Sequence, residues 1–269
     1  MLWAAKNGQV RVGTTTMDYV AFGKGKEALV MLPGLGDGLT TVKGMAILMA
    51  WTYRQYGSRY RVYVFSRKNA IDEGYSTKEM AKDQAEAMQA LGIKSAHVMG
   101  ISQGGMIAQY LAIDHPHLVD KLVLAVTLSK QNEVIQSALS HWIAMAERGA
   151  YRSLLLDTMD RSYSDAYRRK YRWLSPFLGR VGKPRSFDRF LIQAKSCLKH
   201  NAHDQLHKIA CPVLVLGGAW DRIVGAEASV ALADAIQRCE LILYNGLGHA
   251  AYEESKAFHQ DVIRFLGVG

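Results

Sequence analysis

Three polar residues, Ser102, Asp221 and His249, occur in an order that favours nucleophilic catalysis. A serine hydroxyl is a poor nucleophile at neutral pH, so it needs a base to accept its proton, and the base needs a group that orients it. Histidine and aspartate suit those two tasks. Each residue type is common in ordinary turns, and it is their joint occurrence that favours catalysis. We therefore expect Ser102 as nucleophile, His249 as general base and Asp221 as the orienting carboxylate.

The surroundings of Ser102 strengthen this interpretation. The segment Gly-Ile-Ser-Gln-Gly at 100–104 follows an apolar run at 96–99 and precedes a helical pattern that continues to about His115. A serine on a tight turn between a strand and a helix has a strained backbone and a hydroxyl that projects from the sheet. Glycines on either side allow the close approach of the neighbouring strand and helix. The alternative interpretation of the five residues alone is a glycine-rich turn.

The acid and the base each follow an apolar segment that is typical of a buried strand. Asp221 comes after the segment 213–216, and His249 comes after the segment 240–244. The order serine, aspartate, histidine is that of one known sheet architecture. Ligands of open parallel sheets bind at the carboxyl ends of the strands, so the three side chains can meet at one sheet edge.

An acyl-transfer site also needs two fixed backbone donors for the oxyanion. The amide of Gln103, directly after the nucleophile, is one candidate. The other is the amide of Leu35, in the glycine-rich loop after the apolar segment 28–32. Asp37 in the same loop could tune His249 or repel anionic substrates, although an ordinary turn aspartate is the simpler interpretation.

The positions of these residues require an α/β fold with a mostly parallel sheet. Continuous apolar strands that alternate with helices are typical of a parallel sheet covered on both faces, and an initial antiparallel hairpin turns at Gly13. We predict eight strands, over 10–12, 15–20, 28–32, 60–65, 96–99, 121–128, 213–216 and 240–244, and helices over 45–56, 76–91, 105–115, 227–236 and 254–265. Ser76 and Glu79 form a capping-box pattern at the second helix.

Residues 129–207 interrupt this alternation, and we name them the helical insertion. The pattern predicts four helices there, over 134–146, 151–159, 165–173 and 187–198, and no strand. We therefore predict a core domain of residues 1–128 and 208–269 with an inserted helical domain at 129–207.

The net charge of +9 is concentrated in the helical insertion, where residues 130–200 hold 14 lysines and arginines and 6 acidic residues. A solvated helix face is the simpler interpretation, and attraction of an anionic substrate or surface is the alternative. Binding to nucleic acid is not expected, because no nucleic-acid-binding motif accompanies the charge.

The composition, with 49% hydrophobic and 21% charged residues over 269 positions, is typical of a globular protein. No run is long enough to span a membrane, and the first residues lack the pattern of a signal peptide. Three cysteines, Cys197, Cys211 and Cys239, have no metal-binding spacing and fit a reducing compartment. We therefore expect a cytoplasmic protein with no metal or cofactor.

The sequence resembles the α/β-hydrolase superfamily, in particular its small members with a cap over the active site. The resemblance covers nearly the whole chain and rests on several segments: Pro-Gly-Leu-Gly at 33–36, Gly-Ile-Ser-Gln-Gly-Gly at 100–105, His-Pro at 115–116, Leu-Val-Asp-Lys-Leu-Val-Leu at 118–124, Pro-Val-Leu-Val-Leu-Gly-Gly-Ala-Trp-Asp at 212–221, and Gly-His-Ala-Ala-Tyr-Glu-Glu at 248–254. It implies that the helical insertion is the cap. Many relatives have histidine where this chain has Pro33, and a serine at 102 argues against the dehalogenase and epoxide-hydrolase branches.

We expect a serine hydrolase that cleaves a small carboxylic ester, with or without an anionic group, through an acyl-enzyme on Ser102. Hydrolysis of a carbon–carbon bond, a lactone, a thioester or a peptide could use the same residues. A non-catalytic protein that binds a small ligand is an alternative from another class, and the retention of Ser102, Asp221 and His249 argues against it.

Overall fold

An eight-stranded sheet crosses the whole computed structural model, which describes residues 4–171, 173, 179 and 182–267. The strand order is β1-β2-β4-β3-β5-β6-β7-β8. The hairpin β1–β2 and the pair β2–β4 are antiparallel, and all other pairs are parallel. The predicted α/β fold with eight strands is therefore confirmed. The strands are β1 (Lys6–Val12), β2 (Thr15–Phe22), β3 (Glu27–Leu32), β4 (Tyr60–Lys68), β5 (Ala96–Ile101), β6 (Val119–Ala125), β7 (Val213–Gly218) and β8 (Cys239–Tyr244).

Helices cover both faces of the sheet, because its central strands are apolar on both sides. Every residue of β5 and of β7 is buried. One core contains apolar residues of α2, α3 and α8, and the other contains apolar residues of α1 and α10. The core helices are α1 (Ala46–Thr52), α2 (Thr77–Ala90), α3 (Gln103–Asp114), α8 (Ala226–Asp234), α9 (Ala251–Glu254) and α10 (Phe258–Gly267).

The helical insertion leaves the sheet after β6 and returns before β7, and its described residues form four α-helices. They are α4 (Glu133–Glu147), α5 (Tyr151–Ser162), α6 (Asp165–Tyr171) and α7 (Asp188–Leu198). A third apolar cluster joins the insertion to the core, with Trp142 and Phe190 from the insertion and Met106 from α3. Part of the third predicted helix, at Arg172, lies outside the described residues.

Three predicted boundaries are wrong for identifiable reasons. The helix expected over 254–265 is α10, which begins only at Phe258, because Ser255 is extended after the short α9. The helix expected over 45–56 ends at Thr52, and tight turns carry the chain on to Gly57. The strand expected over 121–128 is β6, which ends at Ala125 because Val126 has a φ of +46°.

Candidate active site

Ser102 occupies the turn between β5 and α3 in a conformation that few non-glycine residues adopt. Its φ is +54° and its ψ is −118°. The flanking glycines are required by space: a Cβ on Gly100 would lie 2.4 Å from the carbonyl oxygen of Gly104, and one on Gly104 would lie 1.9 Å from the carbonyl oxygen of Leu32. The tight turn thus holds Ser102 at the carboxyl end of β5, in the strained geometry expected from the sequence.

The loops after β7 and β8 bring Asp221 and His249 to Ser102. His249 Nε2 lies 3.0 Å from Ser102 Oγ, and His249 Nδ1 lies 2.8 Å from Asp221 Oδ2. An ionised carboxylate can only accept hydrogen bonds, so Nδ1 is the donor, and in the neutral ring Nε2 is then the acceptor for the serine hydroxyl. The arrangement allows proton transfer from Ser102 to His249.

Asp221 is held as an anion although it is buried. Burial alone would raise the pKa of its carboxyl, but the charge of His249 and the hydrogen bond to it act in the opposite direction. The backbone amides of Ile223 and Val224 also donate hydrogen bonds to Asp221 Oδ1, at 2.8 and 3.0 Å. The pKa of Asp221 is therefore below its ordinary value, and the carboxylate can stabilise a protonated His249.

The two expected oxyanion donors both begin a helix near the serine. Gln103 is the first residue of α3, and Leu35 is the first residue of a short 3-10 helix, Leu35–Gly38. Amides in the first turn of a helix have no acceptor within that helix. The loop reaches the nucleophile, because a Cβ on Gly34 would lie 3.3 Å from the Cβ of Ser102.

A buried arginine that the sequence did not single out joins these two donor segments. Arg67, at the end of β4, is completely buried. Its Nη2 donates to the carbonyl oxygen of Pro33 at 2.6 Å and to Gln103 Oε1 at 2.9 Å. Burial lowers the pKa of the guanidinium, and the charge of Asp37 opposes that shift. Arg67 thus fixes one residue from each side of the expected oxyanion site.

Asp37 contacts the helical insertion rather than His249. Its carboxylate accepts from Arg189 Nη2 at 2.8 Å, from Gln193 Nε2 at 3.2 Å and from the amide of Arg67 at 3.2 Å. Among the described residues, Asp37 makes no hydrogen bond to His249. The reason is that α7 packs on the loop after β3 and supplies Asp37 with a cation.

Gln103 also contacts α7. Its Nε2 donates to the carbonyl oxygen of Gln193 at 2.9 Å and to Cys197 Sγ at 3.2 Å. Burial raises the pKa of the Cys197 thiol to about 12, so this cysteine is an acceptor in the packing and is not a reactive thiolate at neutral pH. The side chain of Gln103 is therefore fixed from both the sheet and the insertion.

A cavity of about 390 Å³ opens beside Ser102 and His249. Its wall is mainly apolar, and among the described residues it contains no lysine or arginine. Two tyrosines, Tyr53 and Tyr252, also line it; burial raises the pKa of both, for Tyr53 to about 12, so both are protonated at neutral pH. The apolar part of the wall includes Leu32, Leu35, Leu39, Val42, Met45, Met49, Trp142, Leu154, Phe190 and Ile223.

None of the lysines and arginines in the described part of the insertion lines this cavity. Helix α6 has no buried residue, and Arg168 forms ion pairs with Asp160 and Asp165. The described part of this stretch, α6, therefore lies at the surface of the protein. In the described part of the chain, no group of three or more His, Cys, Asp or Glu side chains could hold a metal ion, and no helix is long and apolar enough to cross a bilayer.

The chain belongs to the alpha/beta hydrolase fold family, whose family model matches residues 28–256. The similarity to individual proteins is more distant but extends over nearly their whole length. The "Putative carbamate hydrolase RutD" of Caulobacter sp. (strain K31) is 27% identical over 261 residues, which cover 90% of this chain and 91% of that protein. A 2-hydroxy-6-oxononadienedioate/2-hydroxy-6-oxononatrienedioate hydrolase of Pseudomonas sp is 24% identical over 258 residues, which cover 91% of this chain and 89% of that protein.

A solved structure gives the same fold. It is that of MGS-M2, an alpha/beta hydrolase enzyme from a Medee basin deep-sea metagenome library, with a TM-score of 0.84 at 20% identity. The match covers 97% of this chain and 98% of that one. At this level of identity, the similarity is one of fold.

Proposed function

We propose that the protein is a serine hydrolase that cleaves carboxylic esters through an acyl-enzyme. Ser102 attacks the carbonyl carbon while His249 accepts its proton, and Asp221 stabilises the resulting imidazolium. The amides of Leu35 and Gln103 hold the oxyanion. His249 then protonates the leaving alcohol, and a water molecule releases the acid from Ser102. The chain of hydrogen bonds from Asp221 through His249 to Ser102, at 2.8 and 3.0 Å, carries the proposal.

The cavity supports an ester with an uncharged, apolar acyl group. Its apolar wall is suited to a hydrocarbon chain, and its described part has no cation that could bind a carboxylate. The names of the two relatives refer to hydrolysis of a carbamate and of dienedioates. A dioate carries two carboxylates. The wall of this cavity does not favour a dianion, so we propose a neutral ester rather than the anionic substrate that the net charge allowed.

The helical insertion acts as the cap in this proposal. Trp142, Leu154 and Phe190 place insertion side chains in the cavity wall next to the serine. The insertion would therefore select the acyl group, while Ser102 and His249 carry out the chemistry.

The three cysteines are free, which supports our expectation of a cytoplasmic protein.

A panel of para-nitrophenyl esters with acyl chains of increasing length tests the proposal. The wild type should give a burst of nitrophenol and should label with a fluorophosphonate. Asp221→Asn should lower kcat by about 10⁴-fold, because the wrong tautomer of His249 is then favoured. Ser102→Ala should abolish both the burst and the labelling, while Ser58→Ala, at an exposed serine, should change neither.

Two results would contradict the proposal. Full esterase activity in Ser102→Ala would show that another group is the nucleophile. Absence of any burst or labelling in the folded wild type would instead favour a non-catalytic ligand-binding protein. A strong preference for a dicarboxylate ester over its neutral analogue would reject the neutral substrate class but leave the acyl-enzyme mechanism standing.

A further inference from the structure

Helix α1 presents large apolar side chains to solvent. Ile47, Leu48 and Trp51 are 75, 54 and 59% exposed, whereas Ala46 and Ala50 on the other side of the same helix are buried. Positions 47, 48 and 51 lie on one side of a helix. We name these three residues the α1 face. Isolated exposed apolar residues need no explanation, but a contiguous group of large ones marks a surface that binds something.

The stretch of chain that contains the α1 face is positively charged. Residues 38–71 contain six lysines and arginines and no aspartate or glutamate. Three of the six, Lys43, Arg54 and Arg59, are exposed. The guanidinium of Arg54 lies 5.1 Å from the centre of the Trp51 ring and donates to the Trp51 carbonyl oxygen at 3.0 Å. A tryptophan beside a cation is typical of a side chain at the boundary between lipid and water.

The same helix also borders the active-site cavity. Met49 in α1, and Met45 and Tyr53 on either side of it, line the cavity that contains Ser102. The outer side of α1 therefore lies in solvent, while its inner side contributes to the apolar wall. A lipid surface that covered the α1 face would lie next to a cavity suited to a hydrocarbon chain.

We propose that the α1 face, with Lys43 and Arg54 at its edge, docks the protein on an anionic lipid surface. Apolar side chains that enter the interface and lysines or arginines near anionic headgroups are the two contributions that hold a protein there. A second copy of this chain is a poorer occupant. It would bring two positively charged surfaces together, and three side chains are few for the roughly 800 Å² per partner of a stable interface.

Docking is proposed independently of catalysis, and only its use in supplying ester substrates rests on the proposed function. Sedimentation of the full chain with sucrose-loaded vesicles measures docking without any turnover. Vesicles of phosphatidylcholine alone are compared with vesicles of phosphatidylcholine and phosphatidylglycerol in equal parts. We expect binding to the mixed vesicles at low salt, and binding at least about tenfold weaker to the neutral vesicles or at high salt, because the electrostatic contribution is screened.

Two sets of variants separate the apolar and the charged contributions. The triple variant Ile47→Ser/Leu48→Ser/Trp51→Ser should bind mixed vesicles at least about tenfold more weakly. Lys43→Glu/Arg54→Glu should bind more weakly and lose most of the preference for anionic vesicles. Val134→Ser/Val230→Ser removes apolar side chains that are exposed elsewhere, in α4 and α8, and should bind like the wild type. None of these residues lines the cavity, so hydrolysis of a short soluble ester should be unchanged.

Three results would overturn the proposal. The first is that the triple variant binds vesicles as well as the wild type does. The second is that the wild type fails to bind mixed vesicles. The third is that sedimentation velocity shows a dimer that the triple variant loses, which would assign the α1 face to a second copy. If vesicle binding behaves as expected but no ester is hydrolysed, docking stands and the proposed function fails.

Discussion

Arg67 donates a hydrogen bond from Nη2 to Gln103 Oε1 at 2.9 Å, from a position with no exposed surface. The same nitrogen donates to the Pro33 carbonyl oxygen at 2.6 Å. Gln103 follows the nucleophile, and Pro33 lies two residues before Leu35, so one guanidinium joins the two segments that carry the proposed oxyanion donors. Arg67 touches no reacting atom in this scheme, and its role is to position those amides.

Arg67→Lys should lower kcat by roughly tenfold and leave KM within about threefold. Lysine keeps a positive charge near Asp37, but a single ammonium cannot reproduce the planar fork of a guanidinium. Removal of a whole oxyanion donor costs about 10²–10³ in kcat, and a displaced donor should cost less. Steady-state kinetics on a soluble ester, with thermal unfolding to confirm the fold, measures the effect.

Arg61→Lys is the matched control, because Arg61 lies in the same strand and donates to the Gly23 carbonyl oxygen at 2.9 Å, away from Ser102. Its kcat should be that of the wild type. An unchanged kcat in folded Arg67→Lys, or a change confined to KM, would mean that Arg67 does not position the oxyanion donors.

The ion pair between Arg189 and Asp37 should account for much of the attachment of the helical insertion. Arg189 also donates to the carbonyl oxygens of Lys68 and Arg67 at 2.7 and 2.9 Å. Removal of one partner of a buried pair leaves an uncompensated charge, so Arg189→Met should lower the free energy of unfolding by about 3 kcal/mol. Urea denaturation measures this loss.

Arg264→Met provides the comparison, since Arg264 is 57% exposed and pairs with Glu240 and Asp261 at 3.9 and 3.7 Å. Exposed pairs contribute about 0–1 kcal/mol. The prediction is wrong if the two variants have equal stability.

The meeting of Ser102, Asp221 and His249 could be predicted because it depends on topology. Each follows an apolar strand, and parallel neighbours bring their carboxyl ends to one edge of the sheet. The structure places the three within hydrogen-bond distance, as the sequence order predicted. The eight strands and the insertion helices that the structure describes follow from the same periodic patterns.

The supporting residues could not be predicted, because their roles depend on packing between distant segments. Arg67 contacts residues 30 or more positions away, and Gln193 contacts Asp37 across 156 positions. An arginine at the end of an apolar strand is usually solvated, and only the position of α7 shows that this one is covered. The orientation of the basic residues could not be predicted from the sequence either, because a count of charges does not show which side of a helix faces the cavity.

Buried His200 should make the protein sensitive to mild acid. Burial lowers the pKa of its imidazole to about 3, and its Nδ1 is hydrogen-bonded to Thr77 Oγ1 at 2.9 Å. In the unfolded chain the same group titrates near its ordinary value of about 6.5. Between these two values the unfolded state binds the extra proton, so stability is complete above about pH 6.5 and falls as the pH decreases towards 3.

The titration of His200 should lower the free energy of unfolding by about 1.4 kcal/mol for each pH unit below pH 6. His200→Gln should remove it, so the free energies of unfolding of variant and wild type should converge between pH 6 and pH 4. His207→Gln, at an exposed histidine, should keep the slope of the wild type. Urea denaturation at several pH values provides the slopes, and equal slopes in all three proteins would reject the prediction.

The strain at Ser102 can be measured by comparing glycine with alanine at that position. Its φ of +54° and ψ of −118° are accessible to glycine but costly for a residue with a Cβ. Such backbone strain lowers the free energy of unfolding of a variant with a Cβ by about 1–3 kcal/mol. A glycine variant lacks this strain, but the greater entropy of its unfolded chain lowers the free energy of unfolding by about 0.4–1 kcal/mol. Both variants lose the contact with His249, so their difference isolates the backbone.

Ser102→Gly should therefore be more stable than Ser102→Ala by about 1 kcal/mol, and both should be inactive. At Ser129, a buried serine after β6 whose φ is not positive, the order should reverse, with the glycine variant less stable than the alanine variant. Thermal and urea unfolding of the four variants provides the comparison. If Ser102→Ala is as stable as Ser102→Gly, the turn stores no strain, and the projection of the hydroxyl toward His249 must come from packing around β5 and α3 alone.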